Sequence, residues 1–177
     1  MIKGKKITLK AVETEDLDKL KDWRNNPIFR KNFREHRDLN SLNQELWHKK
    51  MSKSSSDYMF SVFENKTQNL IGACGLLYID WIIRSADLSI YIGKDNIYID
   101  DNLALDTSHT LIEYGFKILN LNKIWMELFE FDNAKINFFT KKLNFKIDGR
   151  LRNNCFHDGK YHDSLIVSLL KDEFKNL

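Results

Sequence analysis

Glu35 and His36 stand together in one charged stretch, and Asp80 and Trp81 in another. A carboxylate next to an imidazole or an indole can hold a cation or a sugar, so these four are candidate substrate-binding residues. His157 and His162 flank a turn signal, His157-Asp158-Gly159, where exposed positions are expected. The pattern does not suggest metal chemistry. No two histidines occur at i, i+4 spacing with a carboxylate, and Cys74 and Cys155 are far apart without ligand spacing. Nor is there a Gly-x-Ser-x-Gly elbow, a P-loop or a dinucleotide-binding glycine pattern. Cys74 lies in the apolar run 71–78 and is expected as a small core residue.

The chain that must position these groups has 177 residues, so a single domain over 1–177 is expected. Hydrophobic residues make up 42%, enough to bury a core. The 28 basic and 25 acidic residues leave a net charge of +3 and are interleaved, which argues against a nucleic-acid partner. Residues 1–10 hold no apolar h-region, and no apolar run nears the ~20 residues of a membrane span. No membrane partner is expected, and two isolated cysteines fit a reducing cytoplasm.

Periodicity divides the chain into elements. Residues 6–11 read as a strand. A helix is expected from Thr14 as N-cap, with Glu15 and Asp16 in the first turn and Leu17, Leu20 and Trp23 on its apolar face. Asn25-Asn26-Pro27 ends it. Residues 28–39 read as irregular, and 41–51 as a helix capped by Ser41 with Gln44 three residues on. Residues 58–63 and 70–79 pair as a hairpin, followed by a strand over 86–92. The longest helix is expected over 102–120, where Ala104, Ser108, Leu111, Gly115 and Leu119 share a face. A strand over 123–129, a helix over 133–143 and a closing hairpin of 145–151 with 161–169 complete the order.

That order resembles the GNAT superfamily of N-acetyltransferases, and several strings add to the likeness. Asp22-Trp23-Arg24-Asn25-Asn26-Pro27 looks like the first helix of its ribosomal-protein and amino-sugar branch. Residues 86–93, Ala-Asp-Leu-Ser-Ile-Tyr-Ile-Gly, look like its fourth strand. Asp132-Asn133 and residues 138–145 match its last helix and turn. Asp148-Gly149-Arg150 and Asp158-Gly159-Lys160-Tyr161 match its closing hairpin. The resemblance covers nearly the whole chain. It implies an α+β fold: a mixed, mostly antiparallel, splayed sheet of about six to seven strands with helices on both faces.

The resemblance also implies an enzyme, acetyl transfer from acetyl-CoA to a primary amine, and no metal. The amine would belong to a protein N-terminus or an amino sugar; a polyamine ranks last, because the acceptor segment carries mixed charge. A monomer or homodimer is expected. The backbone of Ile90, Tyr91 and Ile92 would pair with the pantetheine arm. The pyrophosphate would lie on the loop and helix start formed by Ile97, Tyr98, Ile99, Asp100, Asp101, Asn102, Leu103 and Ala104. Asn133 and Phe138 would line the CoA wall. Asp87 is the candidate general base, with Tyr91 a lesser one. The acceptor pocket would be built by residues 30–37, 78–84 and the closing hairpin. Two features depart from the family pattern. The phosphate loop has lost its glycines and gained Asp100 and Asp101, and Thr140 stands where the family often has a tyrosine acid. They leave an alternative open: a GNAT-shaped binding module with impaired catalysis. A third departure, Asn144 in place of a glycine, is compatible with a left-handed backbone.

Overall fold

The computed structural model describes residues 1–174. Eight strands form one sheet: β1 (Ile2–Lys3), β2 (Ile7–Ala11), β3 (Tyr58–Glu64), β4 (Leu70–Asp80), β5 (Ser85–Ile92), β6 (Lys123–Phe129), β7 (Lys146–His157) and β8 (Lys160–Leu170). Their order is β1-β2-β3-β4-β5-β6-β8-β7. Every neighbouring pair is antiparallel except β5–β6, which is parallel. The α+β class is as the resemblance implied, with one strand more, because the short edge strand β1 adds to the seven legible ones.

The helices are α1 (Leu17–Asn25), α2 (Pro27–Arg30), α3 (Ser41–Lys53), α4 (Leu103–Lys117), α5 (Asn133–Asn137) and α6 (Lys171–Phe174). Alternation along the strands gives the sheet two apolar faces. On one, Cys74 and Leu76 of β4, and Leu88, Ile90 and Ile92 of β5, pack with Leu103, Ala104, Leu111 and Phe116 of α4. On the other, Ala73 and Tyr91 pack with Leu20, Phe29, Phe33 and Tyr98. Fully burying each such large side chain contributes roughly 1.5–3 kcal/mol.

Several helix ends differ from the expectation, each for a local reason. Glu13 and Asp16 exchange side-chain bonds, so the first turn is a 3₁₀ turn over Thr14–Asp16 and α1 starts at Leu17. Asn40, not Ser41, caps α3: its Oδ1 accepts from Asn43 N at 2.9 Å, and Asn43 Oδ1 accepts from Asn40 N at 3.1 Å. The stretch expected as irregular contains α2, with Pro27 in its first turn and Ile28 N donating to Asn26 Oδ1 at 3.0 Å. The single helix expected over 133–143 is α5 followed by a π-helical turn, Phe138–Lys142. Consecutive Phe138 and Phe139 are both buried, and the widened turn brings both to the core. Asn144 adopts φ 54°, the left-handed conformation its place after that turn requires.

Candidate active site

The parallel pairing of β5 with β6 covers only Ser85↔Lys123, Ala86↔Ile124 and Asp87↔Trp125. Beyond Asp87 the two strands part. Ile92, at the far end of β5, turns its backbone away from β4 and exchanges hydrogen bonds with Tyr98 at 2.9 and 2.8 Å. Backbone groups alternate sides along a strand, so Ile90 also turns its N–H and C=O into the split, beside the Leu88 carbonyl. Tyr91 is paired back toward Ala73 of β4. Of the three residues expected to present backbone to an extended ligand, Ile90 does so; Ile92 is engaged by Tyr98, and Tyr91 faces the other way.

A cleft of about 360 Å³ opens at this fork on the α1–α2 face. Asp87 and Glu127 line it, and one guanidinium spans both: Arg34 Nη1 donates to Asp87 Oδ2 at 2.7 Å, and Nη2 stands 3.4 Å from Glu127 Oε2. Burial pushes the Asp87 carboxyl above its ordinary range, and the facing Arg34 charge opposes that rise. Lys135, on α5, lines the same cleft and is buried. Loss of solvent pulls its ammonium down to about 8, against the pull of Asp132 and Asp87 in the other direction. Its Nζ sits 5.1 Å over the Tyr98 ring.

Tyr98 ties the fork together. Its hydroxyl donates to Asp132 Oδ2 at 2.6 Å, and Asp132 Oδ1 accepts from Lys135 N at 3.1 Å, capping α5. Phe29 stacks on the Tyr98 ring at 5.8 Å. Burial and the Asp132 charge push the Tyr98 phenol well above its usual value. Gly93 closes β5 against Trp23, where a Cβ would overlap the indole ring.

The two loop carboxylates at the start of α4 are both occupied. Asp100 Oδ1 accepts from Ala104 N at 2.7 Å, and Asp101 Oδ2 pairs with Lys142 at 2.6 Å. Asn102 is the N-cap residue and accepts from Lys6 Nζ. Leu103 and Ala104 are buried beneath, while Ile97 and Ile99 pack against the core from the loop. At the start of α4 the Ala104 amide and the Lys142 ammonium are thus each engaged by a loop carboxylate.

The remaining expected residues are dispersed. Phe138 is in the main core beside the fork, and Asn133 is exposed at the start of α5. Tyr91 is sealed in the second apolar cluster, and burial raises its phenol far above the ordinary value. Glu35 lines the cleft but is held by Arg37, whose hydrogen bonds lower its carboxyl to about 2. His36 is an exposed loop residue. Asp80 organises the β4–β5 turn, accepting from Ile82 N at 2.8 Å and Ile83 N at 3.0 Å, and Trp81 donates to Ser55 O at 3.0 Å. His157 and His162 pack about Phe131 in the closing hairpin. Arg34, Glu127 and Lys135 were not singled out from the sequence. The available signal was a charged residue flanked by apolar ones, as in Met126-Glu127-Leu128.

No helix among the described residues is long and apolar enough to cross a membrane, and they hold no cluster of three metal-ligating side chains. Residues 9–166 match the family model of the acetyltransferase (GNAT) domain. The spermidine N(1)-acetyltransferase of Vibrio cholerae is 28% identical over 171 residues, spanning 96% of each chain. An uncharacterized N-acetyltransferase, p20, of Bacillus licheniformis is 28% identical over 177 residues, covering 96% of this chain and 95% of its own. The crystal structure of the Vibrio cholerae spermidine enzyme in complex with CoA and spermine superposes with a TM-score of 0.86 at 27% identity, over 97% of this chain and 99% of that one. The family expectation holds, but the ribosomal-protein and amino-sugar branch is not singled out: the relatives matching over the whole chain that are named for a substrate are spermidine acetyltransferases, while a putative ribosomal N-acetyltransferase of Bacillus subtilis matches at 26% identity over 107 residues. The chain belongs to the GNAT acetyltransferase family and is an N-acetyltransferase that uses acetyl-CoA as its co-substrate.

Proposed function

We propose that acetyl-CoA lies in the β5–β6 split and that a primary amine attacks its thioester from the cleft where Asp87, Glu127 and Lys135 meet. The observation that carries this reading is the buried Asp87 carboxylate, placed at the last paired residue before the strands part. The amine lone pair adds to the thioester carbonyl, the C–S bond breaks, and the thiolate leaves. Asp87 accepts the proton released by the amine, and its raised pKa makes it a better base than an exposed carboxylate. Lys135, near 8, is matched to returning a proton to the thiolate, the task for which Thr140 is unsuited. Tyr91 forms wall rather than base. The Ile90 N–H and C=O pair with the pantetheine arm, and the α4 amides with Lys142 hold the pyrophosphate.

For the acceptor, an amino sugar or related small amine fits the cleft's charge. Asp87 and Glu127 share Arg34, Glu35 is held by Arg37, and Arg24 and Lys135 add further positive charge. A polycation would find few free carboxylates there. The spermidine named for the relatives favours a second reading, polyamine acetylation. Thiol release from acetyl-CoA in the presence of glucosamine, spermidine or a free-N-terminus peptide separates these readings. Turnover of glucosamine above the other two supports the first, and preference for spermidine replaces it with the second. Loss of turnover in Asp87→Asn with the preferred amine is expected; full activity there would overturn the base assignment.

A further inference from the structure

A second cavity, of about 380 Å³, opens between α1, α3 and the sheet. It adjoins the acceptor cleft, since Arg24, Glu35 and Trp47 line both. Its base is apolar, formed by Leu20, Met59, Ala73 and Tyr91. Each cavity is large enough for a substantial ligand fragment, because small-molecule sites run from roughly 300 Å³ upward.

The wall of this chamber is basic. Arg24, Arg37 and Lys50 face one carboxylate, Glu35, and Arg37 already binds that carboxylate through Nε at 3.0 Å and Nη2 at 2.7 Å. Among the described residues, neither Arg24 nor Lys50 has an ion-pair partner. The Arg24 guanidinium lies 4.5 Å over the Phe33 ring, which fixes it without neutralising it.

A second observation points the same way. Gln44 lines the cavity and is only 5% exposed, yet its side-chain amide has no hydrogen-bond partner among the described residues. Its amide atoms are not sealed in the core, so on a residue that lines the cavity they keep donors and an acceptor available to a ligand there.

We infer that this chamber is a second acceptor subsite, which holds an oxyanion carried by the amine substrate on an apolar or planar body. The inference rests on the transfer reading above and narrows its substrate class. The amine lies toward Asp87, the body packs against Trp47, and a phosphate or carboxylate meets Arg24 and Lys50, with Gln44 completing its hydrogen bonds.

The test uses the intact enzyme and matched acceptors that differ by one oxyanion: glucosamine against glucosamine 6-phosphate, and leucinamide against leucine. Binding is measured by calorimetry with CoA saturating, so that the donor's own phosphate site is closed, and thiol release follows with acetyl-CoA. The anionic member of at least one pair is expected to bind about tenfold tighter, and the favoured pair identifies phosphate or carboxylate as the group. Lys50→Glu should lower the anionic-to-neutral ratio of kcat/KM about tenfold, chiefly through KM, with Arg24→Gln moving it the same way. Lys49→Glu, on the same helix outside the cavity, should leave the ratio unchanged. Equal binding within both pairs, or a loss in Lys50→Glu that falls on both members alike, overturns the subsite. Anion preference in binding without turnover of any amine would sink the transfer reading and leave the subsite standing. Turnover without anion preference would do the reverse.

Discussion

Arg34 donates from Nη1 to Asp87 Oδ2 at 2.7 Å, and the two ends of this pair differ sharply in exposure: the Asp87 side chain is 5% accessible and that of Arg34 47%. The carboxylate is therefore held within the sheet, while the guanidinium comes from a loop and is half-exposed. An amine arriving in the cleft can take the Arg34 place beside Asp87. On the proposed mechanism Arg34 is a positioning residue whose charge also restrains Asp87.

The sign of that restraint gives the first prediction. Burial raises the Asp87 pKa and Arg34 lowers it, so removing the guanidinium raises it further. A base acts only when deprotonated. Arg34→Gln should therefore move the acid limb of kcat/KM to higher pH, while Asp87→Asn should lower kcat by about 10²–10⁴ with KM for acetyl-CoA little changed. A pH–rate profile of both variants checks this. An acid limb that stays in place in Arg34→Gln would show that Asp87 is not the titrating base.

Lys135 offers a stability test that does not depend on turnover. Its folded-state pKa is about 8, below the ordinary lysine value of 10.5. Between those two pH values the unfolded chain binds more protons than the native one, so stability contributed at this site rises with pH across that window. Below pH 8 the buried ammonium costs the fold on the order of 3 kcal/mol. Lys135→Met should raise the urea midpoint at pH 7 relative to the parent, and the gap should narrow by pH 10.5. A constant gap across that range would mean the ammonium is not destabilised in the native state. In turnover, the same variant should lose the alkaline limb near pH 8.

The third prediction concerns the tether across the fork. Tyr98→Phe removes the hydroxyl that donates to Asp132 at 2.6 Å in a buried setting. Leaving that carboxylate one donor short should cost about 1–3 kcal/mol of stability. Because Asp132 also caps α5, the loss should appear as faster hydrogen exchange at Lys135 and Ile136 N–H, both of which bond to Asp132. Unchanged exchange there would mean that the tether does not hold α5.

The overall fold was largely legible because its signals are local. Alternation in residues 58–63 and 70–79 and the helical face of Ala104, Ser108, Leu111 and Gly115 are read directly from spacing, and those four are buried; Leu119, expected on the same face, lies past the end of α4 and is only half-buried. The site was less legible because it is assembled from residues distant in sequence. Arg34 reaches Asp87 across 53 positions, and Tyr98 reaches Asp132 across 34. Charged residues flanked by apolar ones at Asp87 and Glu127 were the readable trace. That Asp87 and Glu127 share one cation depends on sheet order, which periodicity does not supply. Exposed-looking pairs such as Asp80-Trp81 read equally well as binding groups, yet they organise a turn and a loop.

The glycine-free loop yields the last prediction, in which affinity and stability move in opposite directions. Asp100 Oδ1 occupies the Ala104 N–H at 2.7 Å, one of the first amides of α4. Helix N-termini favour anions, so this carboxylate satisfies an otherwise free donor and stabilises the helix. A donor pyrophosphate at the same terminus must compete with it and bear its negative charge. Asp100→Ala should therefore lower stability by about 1 kcal/mol through loss of the cap. The same change should tighten CoA binding by about fivefold to tenfold, since the amide is freed and a repulsive charge removed. Lys142→Gln should weaken CoA, because its ammonium otherwise stands at this loop beside Asp101. Calorimetric titration with CoA, paired with urea unfolding of each variant, reads both quantities. Weaker CoA binding in Asp100→Ala would mean that the carboxylate orders the loop for the donor rather than competing with it.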